Sequence, residues 1–545
     1  MFAALALVAI GGGLAVYSGN VGLDFLPKLN INEPLLATIP PQLGASRRPL
    51  SRRVVLVIVD GLSQQHAYGL PLLDRLRGAG IDASATSHTP TISRPNYVTI
   101  LTGVPPVLSG VRNNWYQGRV ELDSIMDRLR ARRSETAYVS DSSPGLAYMF
   151  SQDIEDSTYA PWPDGFVAAS RLALRRNYPL VILLPGRVDY EGHLHGADSD
   201  EYRRAAELVD AQLTAALADI DLSRDTVIVT ADHGHTPSGG HGGSEPEVLD
   251  VPLVMAGAGV RTAAVVRAPR LVDIAPTIAA LLGAPAPGHG VGRTLVEALD
   301  LDADTATAIT AADHARIARN REVAAAEAQL ARAETDATRA RRVSLVVTAI
   351  ALTVILLVVG TRLGLFSIDW RVLLIALPAF PLAFFALLEM VGQSFSLSSL
   401  PDEGVGARKV FHFGLASTVV HVIATWIALR GRVVLRDRLA AANAIAVCGM
   451  LVAGIPAALA WAVHGGGPFV ELPGPKLLFL IPAMYIAVAC YAIAAAVSLG
   501  LELVIFFARA VDPRLPLRRA ERRVEKEKQR LDSHITTAPR PDTLD

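Results

Sequence analysis

At 545 residues the chain is too long for one ordinary core, and 51% hydrophobic against 19% charged residues with a mean hydropathy of +0.34 displace it from soluble proteins toward membrane proteins. A net charge of −1, a pI near 6.9 and the lack of a basic stripe interleaved with aromatics give no electrostatic reason to bind nucleic acid, which is not expected as a partner. The two cysteines, Cys448 and Cys490, both lie in apolar stretches, so thiolate sites and disulfides are excluded from the soluble part and a metal there must be held by His and carboxylate.

Residues 1–19 are apolar over about the length of a membrane span and carry no charge. They read as a transmembrane anchor; the positively charged start of a cleaved signal peptide is missing. Residues 20–53, Pro-rich and polar, read as a linker. From 54 to 300 short β-branched runs alternate with amphipathic stretches, which predicts an α/β domain. VVLVIVD (Val54 to Asp60), LVILLP (Leu180 to Pro185) and DTVIVTADHG (Asp225 to Gly234) are near-continuous apolar runs, as central strands covered on both faces require. Residues 301–342, rich in Ala, Glu and Arg, predict a helix, read first as a solvated stalk and second as a helix lying against the α/β domain. Residues 343–510 hold five apolar blocks that can each cross a bilayer, giving about six transmembrane helices with the anchor. The loop RGRVVLRDR (Arg430 to Arg438) and the tail at 511–545 are basic, which places both on the cytoplasmic side and the α/β domain on the other; RARR before Val343 is the one dissenting cluster.

Ligand sites in open α/β sheets form beyond the carboxyl ends of strands. Asp60 ends the first run, and DYEGHLHG (Asp189 to Gly196), ADHGH (Ala231 to His235) and GGHGG (Gly239 to Gly243) add carboxylates and imidazoles downstream. Gathering Asp60, Asp189 and Asp232 without a cation would stack like charges at a desolvation cost. Divalent ions held by carboxylate and imidazole remove that objection; zinc is expected, with manganese, magnesium or iron admissible. A nucleophile is expected at a strand-to-helix junction, and HTPTISRPNYVTILTG (His88 to Gly103) has that form. Spacing alone does not choose among Ser93, Thr89, Thr91 and Thr99. Each could equally be a helix cap.

These residues resemble the alkaline phosphatase superfamily, in the branch of nucleotide pyrophosphatase/phosphodiesterases and glycosylphosphatidylinositol ethanolamine phosphate transferases. The resemblance covers Val54 to about Gly259 and reaches the membrane part only in general plan. Ser93-Arg94-Pro95-Asn96 stands where the phosphodiesterases have Thr-Phe-Pro-Asn, and it and GGHGGSEPEVLDVPLVMAGAGV are nearer the transferases; DYEGHLHG and NNWY (Asn113 to Tyr116) are nearer the phosphodiesterases. The resemblance implies an alkaline-phosphatase-like, mixed but mostly parallel sheet flanked by helices. It also implies one metal on Asp189, His193 and His241 and a second on Asp60, Asp232 and His233, with Ser93 bridging toward the second as nucleophile. Asn113 would contact a non-bridging phosphate oxygen, and Arg94 and Tyr116 would bind substrate, although Arg94 in place of Phe puts nucleotide stacking in doubt. No Cys-x-Pro-x-Arg segment is present, which disfavours the sulfatases.

The implied enzyme cleaves a phosphoester through a phosphoserine-type intermediate. Because a soluble substrate needs one anchor and not about six spans, the leading expectation is transfer of a phosphoethanolamine-like group from a phospholipid to a glycan or lipid acceptor outside the cytoplasm. The alternatives are a phosphodiesterase or nucleotide pyrophosphatase, and a non-catalytic scaffold or transporter drawing on His412, His421, Glu389 and Glu502 in or near the spans. His66, His88, His195 and His235 match no ligand position and are expected at the surface.

Overall fold

The computed structural model describes residues 1–142, 145–161, 165–390, 395–399, 403–466, 469, 471–511 and 524–525. The basic tail expected beyond residue 511 therefore lies outside the described residues apart from 524–525. Helix α1 (Phe2–Leu23) precedes the sheet. Seven strands among the described residues form that sheet: β1 (Arg53–Ile58), β2 (Gly80–Thr86), β3 (Thr136–Ser140), β4 (Asp156–Tyr159), β5 (Leu180–Leu184), β6 (Asp225–Thr230) and β7 (Asp250–Gly257), in the order β2-β7-β6-β1-β5-β3-β4. From β6 across to β4 every pairing is parallel, while β7 runs antiparallel to β6 and β2 to β7. β1, β5 and β6 are buried at every position, which is why their sequences are apolar without alternation. Three helices matter for the site: α2 (Ser93–Thr102), α3 (Arg187–His195) and α4 (Asp200–Ala216).

The membrane part comprises α5 (Ala303–Arg362), α6 (Trp370–Ala376), α7 (Ala379–Glu389), α8 (Glu403–Leu429), α9 (Leu435–His464) and α10 (Pro475–Val511). Among the described residues six helical segments are long and apolar enough to cross a membrane: α1, α5, the α6–α7 pair, α8, α9 and α10. α1 lies against α10 through small residues: a Cβ at Gly22 would stand 2.8 Å from Ile486 Cγ1, and Gly19 faces Ala489.

Two expectations are corrected. Residues 20–53 are not a free linker: α1 runs on to Leu23, Leu29 and Leu36 are buried, the Ile31 amide donates to the Gly110 carbonyl and Leu35 N donates to Glu327 Oε1. The apolar residues of this segment are too few to show as a periodic element, yet Leu36, Ile39 and Leu50 pack on the core of the α/β domain and Phe25, Leu26 and Leu29 on that of the membrane helices. Nor is 301–342 a separate solvated stalk. It is the first part of the continuous 60-residue α5, and Ile309, Asp313, Arg316 and Asn320 make a helical stripe buried against the α/β domain. Arg316 donates to the carbonyls of Gly290 and Gly292, Asn320 Nδ2 to those of Gly288 and Gly290, and Asp313 Oδ2 accepts from Thr294 N. Polar contacts rather than apolar ones hold this stripe, so hydropathy does not betray it.

Arg112 joins the two halves. It is 1% exposed and donates to the carbonyls of Leu29, Val107 and Phe469, tying the N-terminal strap and a membrane-domain loop to the α/β domain. Arg112→Ala should leave buried carbonyls unsatisfied and cost about 2–4 kcal/mol. The measurement is the thermal midpoint of the detergent-solubilised chain together with proteolysis of residues 24–34, and a midpoint equal to wild type counts against the tie.

Candidate metal centre and nucleophile

Because β6, β1 and β5 are adjacent and parallel, their carboxyl ends lie side by side. β1 delivers Asp60, β6 delivers Asp232 and His233, and β5 leads into α3, whose Asp189 and His193 stand four apart on one helical face. Gly61 makes this possible: its φ is +74°, and a Cβ there would stand 2.8 Å from Asp189 Cα. After β6 the chain returns through Gly239 to Gly243 with His241, whose Nδ1 meets the Thr91 carbonyl at 2.7 Å and so leaves Nε2 for the site.

The six expected ligands gather in one cluster. His233 Nε2 is 3.2 Å from Asp232 Oδ2 and 3.7 Å from Asp60 Oδ1. His193 Nε2 is 3.3 Å from both Asp189 Oδ2 and His241 Nε2. The His233 and His241 rings stack at 3.8 Å, so the two expected ligand sets share a wall. Ser93 opens α2, and its Oγ lies 3.2 Å from His233 Nε2, which brings the helix N-terminus to the cluster. Asn96 builds the turn before it, its Nδ2 donating to the carbonyls of His88, Pro90 and Ile92.

With that arrangement in view, comparison with known proteins is informative. Residues 54–139 match the type I phosphodiesterase / nucleotide pyrophosphatase family and residues 168–286 the metalloenzyme superfamily. The chain carries an alkaline-phosphatase-like metalloenzyme domain. It is 25% identical over 325 residues to GPI ethanolamine phosphate transferase 1 of Homo sapiens, covering 49% of this chain and 35% of that one. To its Neurospora crassa counterpart it is 29% identical over 266 residues, covering 40% and 27%. The match thus takes in about a third or less of those relatives' length. Among solved structures, the C-terminal periplasmic domain of EcEptC from Escherichia coli, in complex with Zn, gives a TM-score of 0.37 at 14% identity, over 48% of this chain and 90% of that one.

The electrostatics of the metalloenzyme domain suit cations. Burial, with the Asp232 and Asp189 charges beside it, pushes Asp60 well above the ordinary carboxylate range, and burial raises Asp232. Burial also works against ionised Asp189, but His193 and His235 outweigh it and hold this carboxyl well below its usual value. Burial, with His233 and His193 adjacent, pushes His241 well below the usual imidazole value, so it stands neutral with a lone pair to offer. Asp60 Oδ1 is buried and accepts no hydrogen bond, while Tyr97 OH donates to Asp60 Oδ2 at 2.5 Å and fixes the carboxylate's direction. Buried carboxylates and imidazoles converging at one point fit divalent metal ions, and ligand atoms of Asp60, Asp232 and His233, and of Asp189, His233, His235 and His241, lie within 4.8 Å of one another.

Three expectations fail here. Asn113 does not face the nucleophile: its Nδ2 donates to the Leu26 carbonyl and its Oδ1 accepts from Asn30 Nδ2 and Trp115 N. The neighbouring Asn114 does, its Oδ1 accepting from Arg94 N at 3.0 Å. Tyr116 is not a substrate contact but a core residue, 3% exposed, with its hydroxyl on the Arg119 carbonyl; its own carbonyl receives Arg94 Nη1. His235 is not at the surface. It is fully buried among His193, His233 and His241 with Nε2 2.8 Å from Asp189 Oδ1, and burial pushes it down to about 4. His88 and His66 are half-buried, His66 beside Ser63, and burial lowers the His88 imidazole to about 4, whereas His195 is 45% exposed at its side chain.

The space for His235 comes from Gly192, where a Cβ would stand 2.5 Å from the imidazole Cδ2. The ring orients Asp189 and would offer a further nitrogen to an ion held there. His235→Ala should therefore weaken metal binding by about 10–100-fold, measured by competition with a chromogenic chelator on the purified full chain. Affinity equal to wild type would make His235 a packing residue only.

Proposed function

We propose that the domain is a metal-dependent phosphoester enzyme in which Ser93 attacks phosphorus, and that it moves a phosphoethanolamine-like group from a phospholipid to a glycan or lipid acceptor on the non-cytoplasmic side. The observation that carries this reading is the 3.2 Å approach of Ser93 Oγ to His233 Nε2 at the helix N-terminus facing the carboxylate–imidazole cluster. Asp60, Asp232 and His233 would hold one ion and Asp189, His193 and His241 a second, zinc first and manganese or magnesium next. Such ions polarise phosphoryl oxygens and lower the pKa of a coordinated hydroxyl.

In the proposed sequence, Ser93 Oγ forms a bond to phosphorus as the bond to the diacylglycerol oxygen breaks, and the serine proton ends on that departing oxygen. The acceptor hydroxyl then attacks the phosphorus of the serine-bound phosphodiester in line with the Ser93 bond, which breaks as the acceptor's proton ends on Ser93 Oγ. The N-terminal dipole of α2 favours the anionic group. Asn114, beside Ser93 at the Arg94 amide, takes the phosphate-orienting role first expected of Asn113. Arg94 has one nitrogen committed to the Tyr116 carbonyl and contributes positive charge at the rim.

The domain's placement supports a lipid substrate. The membrane-domain segment Phe395 to Ser399 rests on the loop carrying His241: Gly243 N donates to Ser398 Oγ, which donates to Glu245 Oε2. Arg362, Arg430, Arg432, Arg436 and Arg438 lie at the loops linking α5 to α6 and α8 to α9, where Arg432 meets Asp369 and a Cβ at Gly364 would meet Arg436. The positive-inside bias supports the reading that this end lies in the cytoplasm and the metalloenzyme domain outside. The dissenting Arg342 is occupied at the outer end, donating to the Ala462 carbonyl, and Arg332 pairs with Glu471.

The test is the full chain in nanodiscs with phosphatidylethanolamine labelled in the headgroup and octyl glucoside as acceptor. Metal-dependent appearance of label on the acceptor is expected. Release only into water, whatever acceptor is offered, would turn the assignment to a phosphodiesterase, and metal binding without turnover to a scaffold.

A further inference from the structure

An apolar cleft of about 110 Å³ lies between α7, α9 and α10, lined among others by Phe384, Phe385, Val452, Pro456, Leu480 and Met484. Its floor is buried, with Phe380 and Phe384 2% and Tyr491 1% exposed, and its rim is open, with Phe385 50% and Val452 48% exposed. It is therefore a groove on the surface that the spans present to lipid. Pro456 inside α9 and Pro482 inside α10 each remove a helix hydrogen bond, a local cause for two closely packed helices to part at this level.

What distinguishes this groove is where it leads. Phe395 packs its ring 6.2 Å from Phe385 and 6.3 Å from Phe479. Two residues on, Leu397 is 5% exposed, and a Cβ built at Gly242 would stand 3.2 Å from Leu397 Cβ and 3.7 Å from Ile92 Cγ1. Gly242 follows His241 and Ile92 precedes Ser93. Apolar contact thus runs from the groove through Phe395 and Leu397 to the two residues bordering the nucleophile and a ligand histidine.

We propose that this groove seats one acyl chain of the lipid substrate, holding its phosphorus at Ser93, with Phe395 and Leu397 as the apolar bridge between chain and headgroup. The inference rests on the lipid-substrate reading above. The occupant follows from size and chemistry. A helix of about 10 Å diameter cannot enter so small a cleft, whereas a polymethylene chain can, and no unsatisfied polar group in the walls asks for anything else. In a glycerophospholipid the acyl ester and the phosphorus are separated by only a few bonds, so a chain anchored beside Phe385 would direct the phosphorus along Phe395 and Leu397 toward the residues bordering Ser93.

The experiment uses the full chain in nanodiscs containing phosphatidylethanolamine with a diazirine in one acyl chain, photolysed and mapped by peptide mass spectrometry. Label is expected several-fold more often on the peptides holding Phe384, Val452 and Met484 than on the lipid-facing Leu352 and Ile355 of α5, and excess unlabelled lipid should compete it away. Ala453→Phe, which fills the groove, should remove that excess while the α5 label persists and reports a folded membrane domain. Label spread evenly over both surfaces, or a crosslink from the groove to a second copy of the chain, overturns the proposal. Ser93→Ala in the same nanodiscs should keep the groove label. Concentrated label without transfer by the wild-type chain would strike the transfer reading and leave the groove, and transfer without concentrated label would do the reverse.

Discussion

Ser93→Ala is expected to lower turnover by a factor on the order of 10³ or more while bound metal stays at the wild-type level. The argument is local. Ser93 Oγ makes one hydrogen-bond contact, to His233, which keeps its place between Asp232 and Asp60 without it, and alanine is as good a helix former as serine at the first position of α2. Folding and the metal cluster should therefore survive the exchange, and only the step that bonds oxygen to phosphorus is removed. Ser93→Thr keeps the hydroxyl and should retain part of the turnover, limited by the room for a methyl group at a position 9% exposed. The pair is checked by headgroup-transfer rate, metal analysis of the same preparations, and intact mass of the wild type after brief exposure to donor lipid. Turnover by the alanine variant at the wild-type rate would remove Ser93 from the chemistry.

How far the site was legible follows from how each residue is reached. Asp60, Asp189, Asp232 and His233 follow apolar strand runs closely, and a strand's direction fixes where its carboxyl end delivers the next few side chains, so their convergence could be read from the linear pattern. His241 was legible only through the glycines around it and the resemblance. Asn113 against Asn114 was not legible, because adjacent residues in a turn point in different directions and nothing in NNWY says which one the turn aims at Arg94. His235 was missed for a related reason: as the third residue of His-Gly-His it reads as a loop histidine, and what draws it inward is the missing side chain of Gly192, far away in sequence. Tyr97 carries no motif at all, and Asn96 closes the Ser-Arg-Pro-Asn motif without that motif telling its role, since both roles come from what α2 packs against. In the fold, the three central strands and the apolar spans follow from hydropathy along the chain, whereas the strand order does not. The docking of residues 20–53 and of the α5 stripe does not, because single leucines and polar side chains on backbone carbonyls leave no periodic trace.

The buried ion pair of the membrane domain is the second place where a large effect is expected. Arg438 on α9 and Glu502 on α10 have side chains 5% exposed and meet through two parallel hydrogen bonds, Nε to Oε2 at 2.5 Å and Nη2 to Oε1 at 2.7 Å, while Arg438 Nη1 donates to the Leu429 carbonyl at the end of α8. One guanidinium thus ties three helices. Intramembrane charges often mark transport pathways, but here Arg438 has a nitrogen on each of its partners and both Glu502 oxygens are engaged, which is the chemistry of a staple and not of a carrier. Arg438→Met should cost about 3–5 kcal/mol, since it leaves Glu502 charged or forced neutral in an apolar surrounding, and Glu502→Leu should do the same to Arg438. The double variant removes both charges and should recover most of the loss, for an apolar pair of similar volume can pack where the ions were. Thermal midpoints of the three variants in one detergent give the coupling directly, and headgroup transfer by the double variant should match wild type. Additive losses in the double variant would show that the two groups stabilise the bundle separately, and a stable double variant without transfer would move Glu502 and Arg438 from the scaffold into the function.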